Sequence, residues 1–214
     1  MNNRIWTAGL LFVIVALACN NPALTTTPSV PVASPIDEPI NCRIGPGTEW
    51  ENVSSLSVGQ TAPIVGRNSV STWWYVQTPN DPNTLCWVAA SVTTTAGNVS
   101  AVAVVADPTA SVTAVSVAVD PQDISLPGCI GPVAPVEVAG SIHVNGPLTV
   151  QYQFETAQSG VVLTDSIVFD EFGTQTIEID YTPVAEEGSF WIRLVIIQPG
   201  EATAETEYEI DCTP

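Results

Sequence analysis

The sequence predicts an all-β protein, a small barrel followed by a β-sandwich. Three observations carry this. Apolar and polar residues alternate cleanly over Leu148–Glu155, Thr176–Tyr181 and Glu205–Cys212, the period of a half-buried strand. Turn dipeptides punctuate these runs: Asn145-Gly146, Ser159-Gly160, Phe172-Gly173, Glu187-Gly188 and Pro199-Gly200. Long helical periods are missing, and 14 Gly and 18 Pro among 214 residues interrupt the chain often.

The first compact stretch is expected over 37–97. Cys42-Arg43-Ile44 leads into Gly45-Pro46-Gly47, a tight turn. Leu56-Ser57-Val58-Gly59 and Ala62–Val65 follow. Trp73–Gln77 joins two Trp, a Tyr and a Val, the residue types strands favour. Thr78–Asn83 is a turn cluster, and Cys86-Trp87-Val88 closes the module. Alternation sets Trp74 and Val76 on one side and Trp73 and Tyr75 on the other. Trp74 and Trp87 are expected in the core. Trp50, Trp73 and Tyr75 are the candidates for an exposed aromatic patch that stacks sugars or grips a peptide. Arg43 and Arg67 are the only cations here. Each is expected to tie down a turn, and Arg43 is also a candidate to meet a ligand carboxylate.

These residues resemble the bacterial SH3-like (SH3b) family. The shared pattern is Asn41-Cys42-Arg43-Ile44-Gly45-Pro46-Gly47, then Leu56-Ser57-Val58-Gly59, Trp74-Tyr75-Val76 and Trp87-Val88, covering about 39–95. The resemblance implies a small, partly open barrel that binds cell-wall peptide or glycan, or a protein partner, without catalysis. Cys42 stands beside the Asn-x-Arg turn and Cys86 precedes the closing Trp, where an added bridge between first and last strands fits.

The second module is expected over 126–214. Leu148, Val150, Tyr152 and Phe154 share one face, as do Ile177, Ile179 and Tyr181, and Thr206, Tyr208, Ile210 and Cys212. Phe190–Ile197 is apolar on both sides except at Arg193, which marks a central strand. Six or seven strands in such a length point to a β-sandwich. By this pattern the stretch looks like an immunoglobulin-like or fibronectin-III-like domain. Cys129 and Cys212 lie at its two ends and are expected to join them. Glu205, Glu207, Glu209 and Asp211 read as a solvated face that blocks edge pairing rather than a calcium site.

The N-terminus reads as an address. Met1–Arg4 carries one positive charge, and Ile5–Ala18 is an apolar run too short to span a bilayer. Residues 1–18 are thus a signal peptide. Ala16-Leu17-Ala18-Cys19 resembles a bacterial lipobox, which implies lipidation of Cys19 and a membrane anchor; Ala16-x-Ala18 also suits ordinary cleavage and plain secretion. Five cysteines agree with the lipid, since four can pair in an exported protein and Cys19 is the odd one. Residues 19–36, rich in Thr, Ser, Pro and Ala, are expected to form a flexible stalk. Residues 98–125 are expected to be a linker, although Val115, Val117 and Val119 alternate as in a strand.

Composition closes off other functions. Four basic residues, all Arg, stand against 22 acidic ones, a net charge of −18. Nucleic acid is therefore not an expected partner. One His, no Gly-x-Ser-x-Gly elbow and no Gly-rich phosphate loop give no catalytic, metal or cofactor site. The expected function is that of an exported, lipid-anchored protein binding a cell-wall peptide or glycan, or an envelope protein. The alternative is a structural or adhesion spacer.

Overall fold

The computed structural model describes residues 30–213. The expected signal peptide, the lipidation residue Cys19 and most of the stalk lie outside these residues.

Short β-branched and aromatic runs in the first module form seven strands. They are β1 (Val32–Pro35), β2 (Ile40–Arg43), β3 (Asn52–Leu56), β4 (Ala62–Arg67), β5 (Trp73–Gln77), β6 (Leu85–Ala89) and β7 (Thr93–Ala96). Their order in the sheet is β3-β2-β6-β5-β4-β1-β7. The sheet curls, because strands from β1 to β6 contribute to one core. Ala33, Cys42, Leu56, Ile64, Trp74, Val76, Cys86 and Val88 meet there. Trp74 Nε1 is buried in that core without a hydrogen-bond partner among the described residues.

The stalk expected over 19–36 therefore ends earlier. Val32–Pro35 pairs antiparallel with both β4 and β7, and Ala33 is fully buried. Backbone pairing on both sides orders a segment that buries only two small side chains, Ala33 and Pro35.

The linker reading of 98–125 is corrected at both ends. Arg67 N–H donates to the Ala103 carbonyl at 3.0 Å and Val105 N–H to the Arg67 carbonyl at 2.9 Å. The Arg67 side chain donates to the Val102 carbonyl and to Ser71 Oγ. Residues 102–105 thus belong to the first module. Further on, Val112–Asp120 is strand β8 and Asp123–Ser125 is β9, so the sandwich begins before residue 126.

The remaining strands are β10 (Val136–Val144), β11 (Leu148–Thr156), β12 (Gly160–Phe169), β13 (Gly173–Tyr181), β14 (Gly188–Gln198) and β15 (Ala202–Asp211). One sheet runs β13-β10-β8 and the other β12-β11-β14-β15-β9. Their inner faces share Val138, Ile142, Val150, Phe154, Leu194, Ile196, Tyr208 and Ile210. β14 is central, with Ile192, Leu194 and Ile196 buried. On its outer face Arg193 lies 4.1 Å from the Trp191 ring and pairs with Glu205.

Gly140 sits in mid-strand where the two sheets approach. A Cβ there would lie 2.7 Å from Phe154 Cζ and 2.8 Å from Leu194 Cδ2. Gly140→Ala should lower stability by about 1–3 kcal/mol through overpacking, read as a lower urea midpoint at unchanged slope.

The acidic strand β15 is open on one side over Ala202–Tyr208, so Glu205 and Glu207 lie along an edge, and only its last three residues gain a second partner. β14 covers it along its length and β9 pairs with Glu209–Asp211. The opposite edge of this sheet is β12, where Asp165 stands opposite Tyr152 on the inward side. An inward carboxylate on an edge strand opposes further pairing. Burial, and then the Asp165 charge, raises the Tyr152 hydroxyl above its usual range.

Two disulfides join Cys42 to Cys86 and Cys129 to Cys212, with Cα atoms 5.4 and 4.9 Å apart. Each lies within one module, and such bonds belong to exported proteins. Among the described residues no helix is long and apolar enough to cross a membrane.

The turn between β5 and β6 hangs on Asp81. Its carboxylate accepts from Thr84 Oγ1 at 2.6 Å and from Asn83 N–H at 3.1 Å. The side-chain bond and then the backbone bond hold its pKa below the ordinary value. The stability this turn adds is therefore present above the unfolded-state pKa and lost as pH falls through the lower folded one. Asp81→Asn should flatten that acid limb, measured as stability between about pH 5 and 2.

Candidate functional site

The outer face of the first sheet carries a row set by strand register. Arg43 on β2 stands beside Trp87 on β6, Trp87 beside Tyr75 on β5, and Tyr75 beside Gly66 on β4. Trp87 is buried, 1% exposed, on the face opposite Cys86 and Val88. Tyr75 stacks on it with ring centroids 4.9 Å apart. Gly66 leaves room for Val105, which packs beside Tyr75. Tyr75 is thus a half-buried cover over Trp87, and it does not form one open strip with Trp50.

Trp73 is placed differently. It pairs with Ala89 on β6 at the end of the row. There it lines a groove of about 800 Å³ together with Pro39, Asn41, Arg43, Thr72, Ala89 and Val92. The groove is mainly apolar, and Arg43 is the one charged residue that lines it. A second hollow of about 370 Å³ shares Pro39, Ile40, Ser91 and Val92 with it and adds Asp37 and Glu38. The two hollows are neighbours with lining in common; the cation belongs to the larger and the carboxylates to the smaller.

Trp50 does not line this groove. It is 9% exposed and sits where the two modules meet. A Cβ on Gly146 would lie 2.5 Å from Trp50 Cε3, and one on Gly45 would lie 2.3 Å from Cδ2 of the same indole. Both glycines are there because the indole needs their missing side chains. Around it, Glu51 N–H donates to the Asn145 carbonyl at 3.0 Å and Phe172 N–H to the Glu49 carbonyl at 2.9 Å. Trp50 is thus a joint residue, and its reading as a ligand contact is corrected.

Arg43 belongs to both places. Its Nη1 donates to the Trp50 carbonyl at 2.6 Å, and its guanidinium lies 5.9 Å from the centre of the Phe172 ring. The first module's own Trp50 carbonyl thus holds the groove's only cation, with the second module's Phe172 ring beside it. Of the four residues expected to bind ligand, the structure brings Trp73 and Arg43 to the groove and takes Trp50 and Tyr75 elsewhere. Thr72, Ala89 and Val92 were not singled out in the sequence, since small residues on an outer face carry no pattern of their own. Gly146 and Phe172 were visible only as parts of turns.

No family model matches the chain, and no curated protein does. Among solved structures, it is similar to the CARDB domain of a Pyrococcus furiosus protein, crystallised in complex with di-metal ions. That match covers 46% of this chain and 94% of the other at 9% identity, with a TM-score of 0.37.

Proposed function

We propose that this is an exported, lipid-anchored binding protein without catalytic activity. Its first module holds a cell-wall peptide or glycan, or a segment of an envelope protein, in the groove walled by Trp73. The observation that carries this reading is the groove itself: apolar, about 800 Å³, and bounded by one half-buried Trp and one fixed Arg. The resemblance to SH3b domains supports the ligand class. Cys19 carries the anchor in this reading, and a fatty-acid analogue should label the wild type and not Cys19→Ser.

Binding rests on aromatic contact, since cations are few and the chain is strongly acidic. Retention of the full chain on purified insoluble peptidoglycan should fall with salt but persist at high salt, because the aromatic contact is not screened. Trp73→Ala should weaken it by about 1–3 kcal/mol. Tyr75→Ala should act on stability through Trp87 and leave retention near that of the wild type. Equal retention of folded Trp73→Ala and wild type would remove the groove from the site. Loss of Trp50 and part of Arg43 to the joint favours the second reading, a structural spacer. Absence of retention at any salt would select it.

A further inference from the structure

We propose that the groove takes a short zwitterionic peptide, with its carboxylate at Arg43 and its ammonium at the Asp37–Glu38 end. This rests on the reading of the groove as a binding site.

The two hollows share Pro39, Ile40, Ser91 and Val92 in their lining, and in this proposal one extended ligand crosses these residues to occupy both. The middle is apolar and gives a peptide backbone no competing charge. The charged ends differ in sign: Arg43 lines the larger hollow, and Asp37 and Glu38 line the smaller. Among the described residues Arg43 is the cation suited to receive a ligand. Arg67 is turned onto Val102 and Ser71, and Arg193 onto Glu205 and Trp191. The bond from Nη1 to the Trp50 carbonyl holds the Arg43 guanidinium still and leaves Nε and Nη2 to donate to a carboxylate. A polyanion would meet the two carboxylates and the overall charge of −18. A neutral glycan would use neither end.

The test is calorimetric titration of the full chain with tetra-alanine in four forms: free, N-acetylated, C-amidated and blocked at both ends. The free peptide should bind best. Acetylation should weaken it about threefold, because Asp37 and Glu38 are exposed, and amidation about tenfold, because Arg43 is half-buried. Asp37→Asn with Glu38→Gln should erase the penalty for acetylation. Arg43→Gln should erase the penalty for amidation, and Arg43→Lys should retain most of it, which separates lost charge from a disturbed joint. Equal affinity for all four forms would overturn the proposal and leave the groove as a binding site. If no form binds while peptidoglycan still retains the protein through Trp73, the peptide class is wrong and the broader reading stands. A chitin-type oligosaccharide bound equally by wild type and Arg43→Gln would assign the groove to glycan instead. Failure of both tetra-alanine and peptidoglycan to bind would remove both readings.

Discussion

Trp50→Ala should cost about 3–5 kcal/mol and uncouple the two modules, the usual range for emptying a buried Trp site. The indole fills the space left by Gly45 and Gly146, and its loss opens a cavity that turns cannot close. Gly146→Val should do the same from the other side, because its Cβ has no room beside Cε3 of the ring. In calorimetry the wild type should unfold with the modules coupled, and both variants should show two separated transitions. Phe172 and Arg43 would lose their mutual placement, so groove binding should weaken although no groove residue has changed. An unaltered unfolding profile in both variants would mean that the joint is a contact without energetic weight.

Replacing Cys42 and Cys86 together by Ser should be the other large effect. The bond closes a separation of 44 residues, for which the chain-entropy model gives roughly 4 kcal/mol. Both cysteines are fully buried in the first core. A module this small has little else in reserve, and the double variant should leave it largely unfolded at 37 °C. The Cys129–Cys212 bond spans 83 residues with a similar model figure of roughly 4–5 kcal/mol. Its loss should be better tolerated, because the sandwich has the larger core. Cys129 and Cys212 are also partly exposed, so mild reductant should open that bond first, and thiol-trapping with mass spectrometry would show the order. Prior opening of Cys42–Cys86 would contradict the burial argument.

The strands legible in the sequence were those with strong side-chain patterns. Trp73–Gln77 emerges as β5, and the Leu148–Glu155 alternation falls within β11. Phe190–Ile197 lies in the central strand of its sheet. Strand β1 was not legible, because Val32–Pro35 buries only Ala33 and Pro35, neither a strand former, and is ordered by its two neighbours rather than by its own pattern. In β8 the alternation of Val115, Val117 and Val119 was visible, but its Thr, Ser and Ala neighbours look the same in a linker and on a solvent-facing sheet surface. The site was legible by half. Alternation separates Trp73 and Tyr75 from Trp74, but it does not say that Tyr75 would lie on Trp87. Trp50 illustrates the general reason. Its burial depends on Gly146, far along the chain and in another module, and local sequence carries no trace of that contact.

In the proposed function, ligand occupies the groove walled by Trp73. Hydrogen exchange of the full chain, with and without soluble peptidoglycan fragments, tests it most directly. Protection should appear at residues 39–43, 72–73 and 89–92 and be lost in Trp73→Ala. Protection confined to the sandwich, or none at these segments under saturating ligand, would contradict it.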